Sequence, residues 1–140
     1  MKKILALCAM LFIITSCSLD PDTQPSYYYE FLPTEAVYIP NSVMPGKTYK
    51  IKVQYSKPTG CHLFDRFYTE KEGEAILIAV QAIVREDGEC NKSTKDILED
   101  ATFTFKCPAD YAGTGYTFKF YVGTNQEGTK EYEEVVIPVK

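Results

Sequence analysis

Apolar and polar residues alternate with a period of two in three segments of this chain, at residues 49–55, 101–107 and 116–122. Successive side chains of a β-strand point to opposite faces, so this alternation is typical of a strand with one buried and one solvated face. Each segment is therefore predicted to be such a strand. Their apolar positions are Tyr49, Ile51, Val53, Tyr55, Ala101, Phe103, Phe105, Cys107, Tyr116, Phe118, Phe120 and Val122.

Residues 75–84 are apolar at nearly every position, which predicts an element that is buried on both faces. A helix is the competing interpretation of this segment. A strand is favoured because β-branched side chains occupy alternate positions. Such a strand is expected at the centre of a sheet, or with its outer face covered by the N-terminal segment or by a partner. The β-branched positions are Ile76, Ile78, Val80 and Val84.

Shorter apolar stretches at residues 36–39, 61–68 and 135–139 predict three further strands. The second of these has no single apolar face, so it is expected to contain a bulge or twist. Residues 85–100 are mostly polar and predict a long loop with one helical turn at 93–98. About seven short strands with turn residues between them indicate an all-β fold, a single β-sandwich over residues 34–140.

The N-terminus carries a short apolar run that follows Lys2-Lys3 and ends in Ile14-Thr15-Ser16-Cys17. This run is far shorter than the ~20 residues that a membrane-spanning helix needs. An aliphatic residue three positions before a cysteine, with small residues between them, resembles the lipobox of bacterial lipoproteins. The resemblance implies that residues 1–16 are a signal peptide. It also implies that Cys17 becomes the first residue and carries a covalent diacylglycerol and an N-acyl lipid such as palmitate.

Residues 17–33 are polar and proline-containing at their start, and they are predicted to be a flexible tether behind the lipidated cysteine. Asp20 and Asp22 are similar to the export signal that brings lipoproteins of Bacteroidetes-type bacteria to the outside of the outer membrane. The resemblance implies an outer-membrane lipoprotein that contacts the membrane through its lipid. Whether the domain faces the cell surface or the periplasm stays open.

The segment Gly113-Thr114-Gly115-Tyr116-Thr117-Phe118 resembles the start of strand F in immunoglobulin-like and fibronectin-like domains. In that family a tyrosine at this place hydrogen-bonds back across the corner. Phe118 stands where an immunoglobulin domain has its second cysteine. The layout of residues 35–140 also resembles small, uncharacterised immunoglobulin-like lipoproteins of Bacteroidetes. The resemblance implies an immunoglobulin-like sandwich and carries no established activity.

Three cysteines remain once Cys8 leaves with the signal peptide and Cys17 is lipidated. Disulfides persist in an oxidising envelope. Cys61 and Cys90 each lie at a junction of strand and turn, whereas Cys107 shares the apolar face of its strand and is expected in the core. A Cys61–Cys90 disulfide is therefore predicted, with Cys61–Cys107 as the main alternative. In the chain-entropy description it stabilises the fold by roughly 3–4 kcal/mol.

Charge and motif content disfavour several classes of function. Without the two lysines of the signal peptide, 13 basic residues stand against 19 acidic ones, a net charge of −6, so nucleic acid is not expected as a partner.

His62 is the only histidine and is predicted at a surface or edge. Acidic residues lie in turns or beside lysines. No metal, cofactor or catalytic residue is predicted, and a calcium site formed from Asp20, Asp22, Asp87 or Glu89 is the disfavoured alternative.

Four tyrosines are the candidate ligand contacts, because an exposed tyrosine can stack on a sugar ring. The sequence predicts a non-catalytic, lipid-anchored envelope protein that binds or scaffolds an unknown protein or glycan ligand. An inhibitor or immunity-like lipoprotein that uses loop 85–100 is an alternative, and a wall or glycan hydrolase is disfavoured. The candidate contacts are Tyr27, Tyr28, Tyr29 and Tyr121.

Overall fold

The computed structural model describes residues 26–86, 90 and 92–140, and this part of the chain is built from β-strands. It contains no helix, and so none that is long and apolar enough to cross a membrane. The predicted signal peptide, Cys17 and the first residues of the predicted tether lie outside the described residues. The strands are β1 (Tyr27–Leu32), β2 (Thr34–Tyr38), β3 (Thr48–Thr59), β4 (His62–Glu72), β5 (Ala75–Arg85), β6 (Lys92–Lys106), β7 (Gly115–Thr124) and β8 (Lys130–Pro138).

The strands form two sheets that face each other, which confirms the predicted all-β sandwich. In the first sheet, β5 lies between β4 on one side and both β1 and β7 on the other, and β8 pairs with β7. The second sheet has the order β2-β3-β6. The inner faces of both sheets supply one core, which includes Ile51, Val53, Tyr55, Ile78, Val80, Phe118 and Phe120.

The alternation in the sequence determines which side chains enter this core. In β3, Ile51 and Val53 are fully buried, whereas Lys50, which precedes Ile51, is exposed and Lys52 between them is half-buried. β5 is the central strand of the first sheet, as its two apolar faces predicted. Its neighbour β4 contains the predicted irregularity, a register shift between Phe64 and Arg66.

The pairing of β5 with β7 is parallel, and it runs from Ala75 opposite Thr117 to Ile78 opposite Phe120. The other pairs between these eight strands are antiparallel. Because immunoglobulin domains are built from antiparallel sheets, the parallel pair departs from that pattern. The immunoglobulin-like type of this sandwich stays a prediction.

The corner that resembles strand F of immunoglobulin domains is held by two tyrosines rather than one. The Tyr111 hydroxyl donates a hydrogen bond of 2.6 Å to the Gly115 carbonyl. The ring of Tyr111 stacks on Tyr116 with the centroids 4.2 Å apart. The Tyr116 hydroxyl itself lies 3.7 Å from the Cys107 sulfur. The backbone bond at this corner thus comes from Tyr111, a residue that the resemblance did not single out.

The segment between β5 and β6 differs from its prediction. Residues 92–100 are part of β6, so the predicted helical turn at 93–98 and the long loop 85–100 are both wrong. This polar segment is a strand because β3 extends opposite it and pairs with it. Tyr55, Ser56 and Lys57 of β3 pair with Glu99, Leu98 and Ile97. Cross-strand pairing therefore outweighs the weak β-propensity of a polar segment.

The cysteines pair as the sequence predicted. Cys61, in the turn between β3 and β4, forms a disulfide with Cys90, between β5 and β6, with the two Cα atoms 5.3 Å apart. The Cys107 thiol is free and completely buried in the core. The disulfide thus ties the second sheet to the first at one end of the sandwich, and the alternative Cys61–Cys107 pair is excluded.

Candidate functional site

The candidate site begins with β1, whose residues the sequence placed in the tether. Residues 27–32 instead pair with β5 from Arg85 back to Val80. Leu32 enters the core, so the residues in the opposite phase, Tyr27, Tyr29 and Phe31, lie on the face of the first sheet that points away from the core. We call this the outer face.

Three neighbouring strands present their outer-face residues in rows near the start of β1. Because β5 lies between β1 and β4, each row joins a β5 residue to its partner on β1 and, from Leu63 onward, to its partner on β4. This register brings together residues that are far apart in sequence. The rows consist of Tyr27 with Arg85, of Tyr29 with Ile83 and Leu63, and of Phe31 with Gln81 and Arg66.

Tyr27, Tyr29, Leu63, Ile83 and Arg85 line an open groove of about 250 Å³, which we call the aromatic groove. The side chains of Tyr27, Tyr29 and Leu63 are 56%, 54% and 48% exposed. The two tyrosine rings meet edge to face with their centroids 5.9 Å apart. Apolar and aromatic side chains that cluster in a groove and stay exposed are characteristic of interaction sites.

Tyr28 is also exposed but belongs to the opposite side of the sheet. It faces Val84, whose side chain is buried in the core, so Tyr28 lies at the inner rim of the sandwich. Of the three consecutive tyrosines, only Tyr27 and Tyr29 contribute to the aromatic groove.

Tyr121 is buried, contrary to the expectation that it is an exposed ligand contact. Only 7% of the residue is accessible, and its hydroxyl hydrogen-bonds to Thr124 at 2.9 Å. Phe31 and Tyr132 cover it, with ring centroids 5.8 and 6.0 Å away. Neighbouring strands thus supply a cover of aromatic rings that the alternation within β7 alone did not predict.

A polar cluster borders the aromatic groove on β4. The register shift leaves Asp65 out of the residue-to-residue pairing with β5. Its carboxylate instead accepts hydrogen bonds from Arg66 Nε at 2.7 Å and from the Gln81 side chain at 2.8 Å. The hydrogen bond from Arg66 lowers the pKa of the Asp65 carboxyl below its usual range. The same bond raises the pKa of Arg66, so the pair remains charged at neutral pH. Sequence analysis missed this cluster because the bulge alone does not reveal which side chains meet.

His62 is buried, and the prediction of a surface histidine is wrong. Its Nδ1 atom lies 2.8 Å from the Thr59 hydroxyl and its Nε2 atom 3.1 Å from a Glu30 carboxylate oxygen. In a hydrolytic triad the hydroxyl bonds Nε2 and the carboxylate bonds Nδ1, whereas here the two ring nitrogens have exchanged partners. The Thr59 oxygen also accepts the Cys61 backbone N–H at 3.2 Å. The three side chains thus join the β3–β4 turn to β1, next to the disulfide.

A second concavity lies at the opposite end of the sandwich. It has a volume of about 620 Å³ and is formed by the β4–β5 turn and the segment before β7. Tyr111, Tyr116 and Ile76 supply apolar surface, and Lys71 and Glu74 supply one charge of each sign. No predicted ligand contact lies in this cleft.

Within the described residues, no group of three or more His, Cys, Asp or Glu side chains is arranged to hold a metal ion. Asp20, Asp22, Asp87 and Glu89, the residues of the disfavoured calcium site, lie outside the described part of the chain. The comparisons with known proteins identify no relative: no protein-family model, curated protein or solved structure matches this chain.

Proposed function

We propose that this protein is a lipid-anchored, non-catalytic binding module that holds a glycan in the aromatic groove. The observation that carries the proposal is the exposure of Tyr27 and Tyr29 beside Leu63 and Ile83 on an open sheet face. The C–H faces of a sugar ring pack well against aromatic rings, because the ring surface is apolar and its π face carries partial negative charge.

The size and composition of the groove favour a glycan over a protein partner. A standard protein interface uses about 20–30 residues on each side, whereas five side chains line the groove. Hydrogen-bonding groups stand next to it at Asp65, Arg66 and Gln81. Aromatic rings with a few polar groups around them suit a ligand that has apolar ring faces and many hydroxyls.

The lipid anchor and the groove lie close together along the chain. Cys17 precedes Tyr27 by ten residues, which span at most about 35 Å when fully extended. On this proposal the lipid holds the module at the bacterial outer membrane, and the immunoglobulin-like sandwich is a rigid support for the groove. The inhibitor alternative loses its structural basis, because most of residues 85–100 form strands rather than a projecting loop.

Affinity electrophoresis with the mature lipoprotein in detergent micelles tests the proposal. Soluble polysaccharides are cast into native gels, and retardation of the protein reports binding. We expect retardation by at least one polymer, and its loss in Tyr27→Ala and Tyr29→Ala. Tyr28→Ala is the matched control, since Tyr28 is similarly exposed but lies on the inner rim. The proposal fails if no polymer retards the protein, or if Tyr28→Ala loses binding equally.

A further inference from the structure

The arginines of this chain are distributed unevenly. Of the 15 basic residues only two are arginines, Arg66 and Arg85. Both lie on the outer face of the first sheet, in the two rows on either side of the row formed by Tyr29, Ile83 and Leu63. Arg66 stands next to Gln81, and Arg85 lies four residues further along β5, about 13 Å at the usual rise of a strand. The two arginines therefore bracket the aromatic groove.

Arg66 is held in one orientation by its neighbours. Its Nε donates to Asp65, and Gln81 holds the same carboxylate from a second direction. The side chain is nevertheless 65% exposed. The two terminal nitrogens have no acceptor among the described residues, and their four N–H groups are available to a ligand. An arginine fixed through Nε presents a planar fork that matches a carboxylate.

Asp65 is the acid beside Arg66 on the outer face, and further acids of β4 lie at the other end of that strand. The arginines lie at the end where β1 begins, while Glu70 and Glu72 lie at the other end of β4. Glu70 accepts a hydrogen bond from Tyr68, and Glu72 pairs with Lys119 at 2.6 Å. At physiological salt a charge acts over about 8 Å, so a ligand in the groove is influenced by the arginines more than by the distant acids.

We propose that the ligand of the aromatic groove is an acidic polysaccharide, whose sugar rings pack on Tyr27 and Tyr29 while a carboxylate pairs with Arg66. This inference rests on the proposed function and adds the chemical class of the glycan. The net negative charge of the domain does not exclude this, because the Arg66 side chain stays 65% exposed beside the groove.

The test compares polygalacturonate with its fully methyl-esterified form, which has the same sugar backbone without the charges. The mature lipoprotein in detergent micelles is titrated with each polymer. We expect the acidic polymer to bind at least about tenfold more tightly than its methyl ester. Arg66→Gln is expected to lower the affinity for the acidic polymer about tenfold. Arg66→Lys keeps the charge but loses the fork, and is expected to recover only part of the affinity. Raising the salt concentration should weaken binding of the acidic polymer alone.

Lys119→Gln is the matched control, because Lys119 is a cation of the same face that lies outside the groove. Unfolding curves check that each variant is folded. Equal binding of both polymers, with Arg66→Gln harmless, overturns the acidic ligand and leaves the proposed function standing. Binding of neither polymer overturns the acidic ligand, and overturns the proposed function as well if no polysaccharide retards the protein in the native gels. In that case, Arg66-dependent binding to micelles that contain phosphatidylglycerol identifies a lipid surface as the occupant of the groove.

Discussion

The Nε2 atom of His62 lies 3.1 Å from a carboxylate oxygen of Glu30, so the first residue of β4 is hydrogen-bonded to β1. The contact joins the two strands that lie on either side of β5 and that together carry most of the aromatic groove. The same imidazole contacts Thr59 on β3, in the second sheet. One buried side chain therefore connects both sheets beside the candidate site.

Replacement of His62 by alanine is expected to lower the free energy of unfolding by about 2–3 kcal/mol. The residue is only 5% exposed, and its removal leaves Thr59 and Glu30 without their imidazole partner. Urea unfolding followed by circular dichroism measures the loss. Thr69→Ala, an exposed position on the same strand, is the control. A loss below about 0.5 kcal/mol would show that the contacts contribute little.

Removal of the disulfide in a Cys61→Ser, Cys90→Ser double variant is expected to cost roughly 3–4 kcal/mol of stability. The bond closes a loop with a sequence separation of 29, which restricts the unfolded chain. Thermal unfolding with and without a reductant gives the difference. The reductant should shift the wild-type transition and leave the double variant unchanged. A reductant-insensitive wild-type transition would contradict the assignment.

Acid is expected to destabilise the protein in part through Glu99. A hydrogen bond from Lys57, with Nζ and Oε1 2.5 Å apart, lowers the pKa of the Glu99 carboxyl, and a second bond comes from Tyr55. The folded pKa lies below the unfolded one, so unfolding takes up a proton in acid. The contribution is present above the usual glutamate pKa of about 4.3 and is lost as the pH falls through the lower folded value.

Glu99→Gln should therefore flatten the decline of stability below about pH 5. Urea midpoints measured between pH 7 and pH 3 provide the comparison. Asp100→Asn is the control, because Asp100 forms an exposed ion pair with Lys52 on the same two strands. An equally steep decline in Glu99→Gln and the wild type would exclude Glu99 as a source of the acid sensitivity.

Replacement of Cys17 by alanine is expected to abolish lipid attachment, since the thiol of this residue is the predicted acceptor. Incorporation of labelled palmitate and the distribution between membrane and soluble fractions measure the effect. Cys8→Ala is the control, because Cys8 lies within the predicted signal peptide. Unchanged labelling in Cys17→Ala would refute the lipoprotein prediction. Protease treatment of intact cells then determines whether the domain faces the surface or the periplasm.

The sequence predicts those features of the fold that depend on local alternation. Residues 49–55 reveal which side of β3 is buried, because a strand repeats every two residues and a sheet has one core-facing surface. The pairing of Cys61 with Cys90 was also predictable. Cys107 alternates in phase with core residues, so its side chain points into the core and not toward Cys61 at the turn. In each of these cases the information lies within a few neighbouring residues.

The features that the sequence did not predict depend on contacts between distant segments. Tyr121 is buried because Phe31 and Tyr132 cover it, and His62 because Glu30 and Thr59 surround it. The polar residues 92–100 pair as a strand because β3 extends opposite them. A pattern along one strand does not indicate its neighbours, so the aromatic groove and the orientation of Arg66 become visible only with the register of the first sheet.

The parallel pairing of β5 with β7 also bears on how the chain reaches its folded state. β4 and β5 are joined by a short turn and pair with each other locally. The pairing of Ala75 with Thr117 instead joins residues far apart in the sequence, and the other edge of β7 pairs with β8, which follows it in the chain. Pairings between distant residues are slow because the intervening chain must first be ordered. A chain that emerges from the ribosome or a translocon with its N-terminus first therefore cannot complete the first sheet until its final strand has been released.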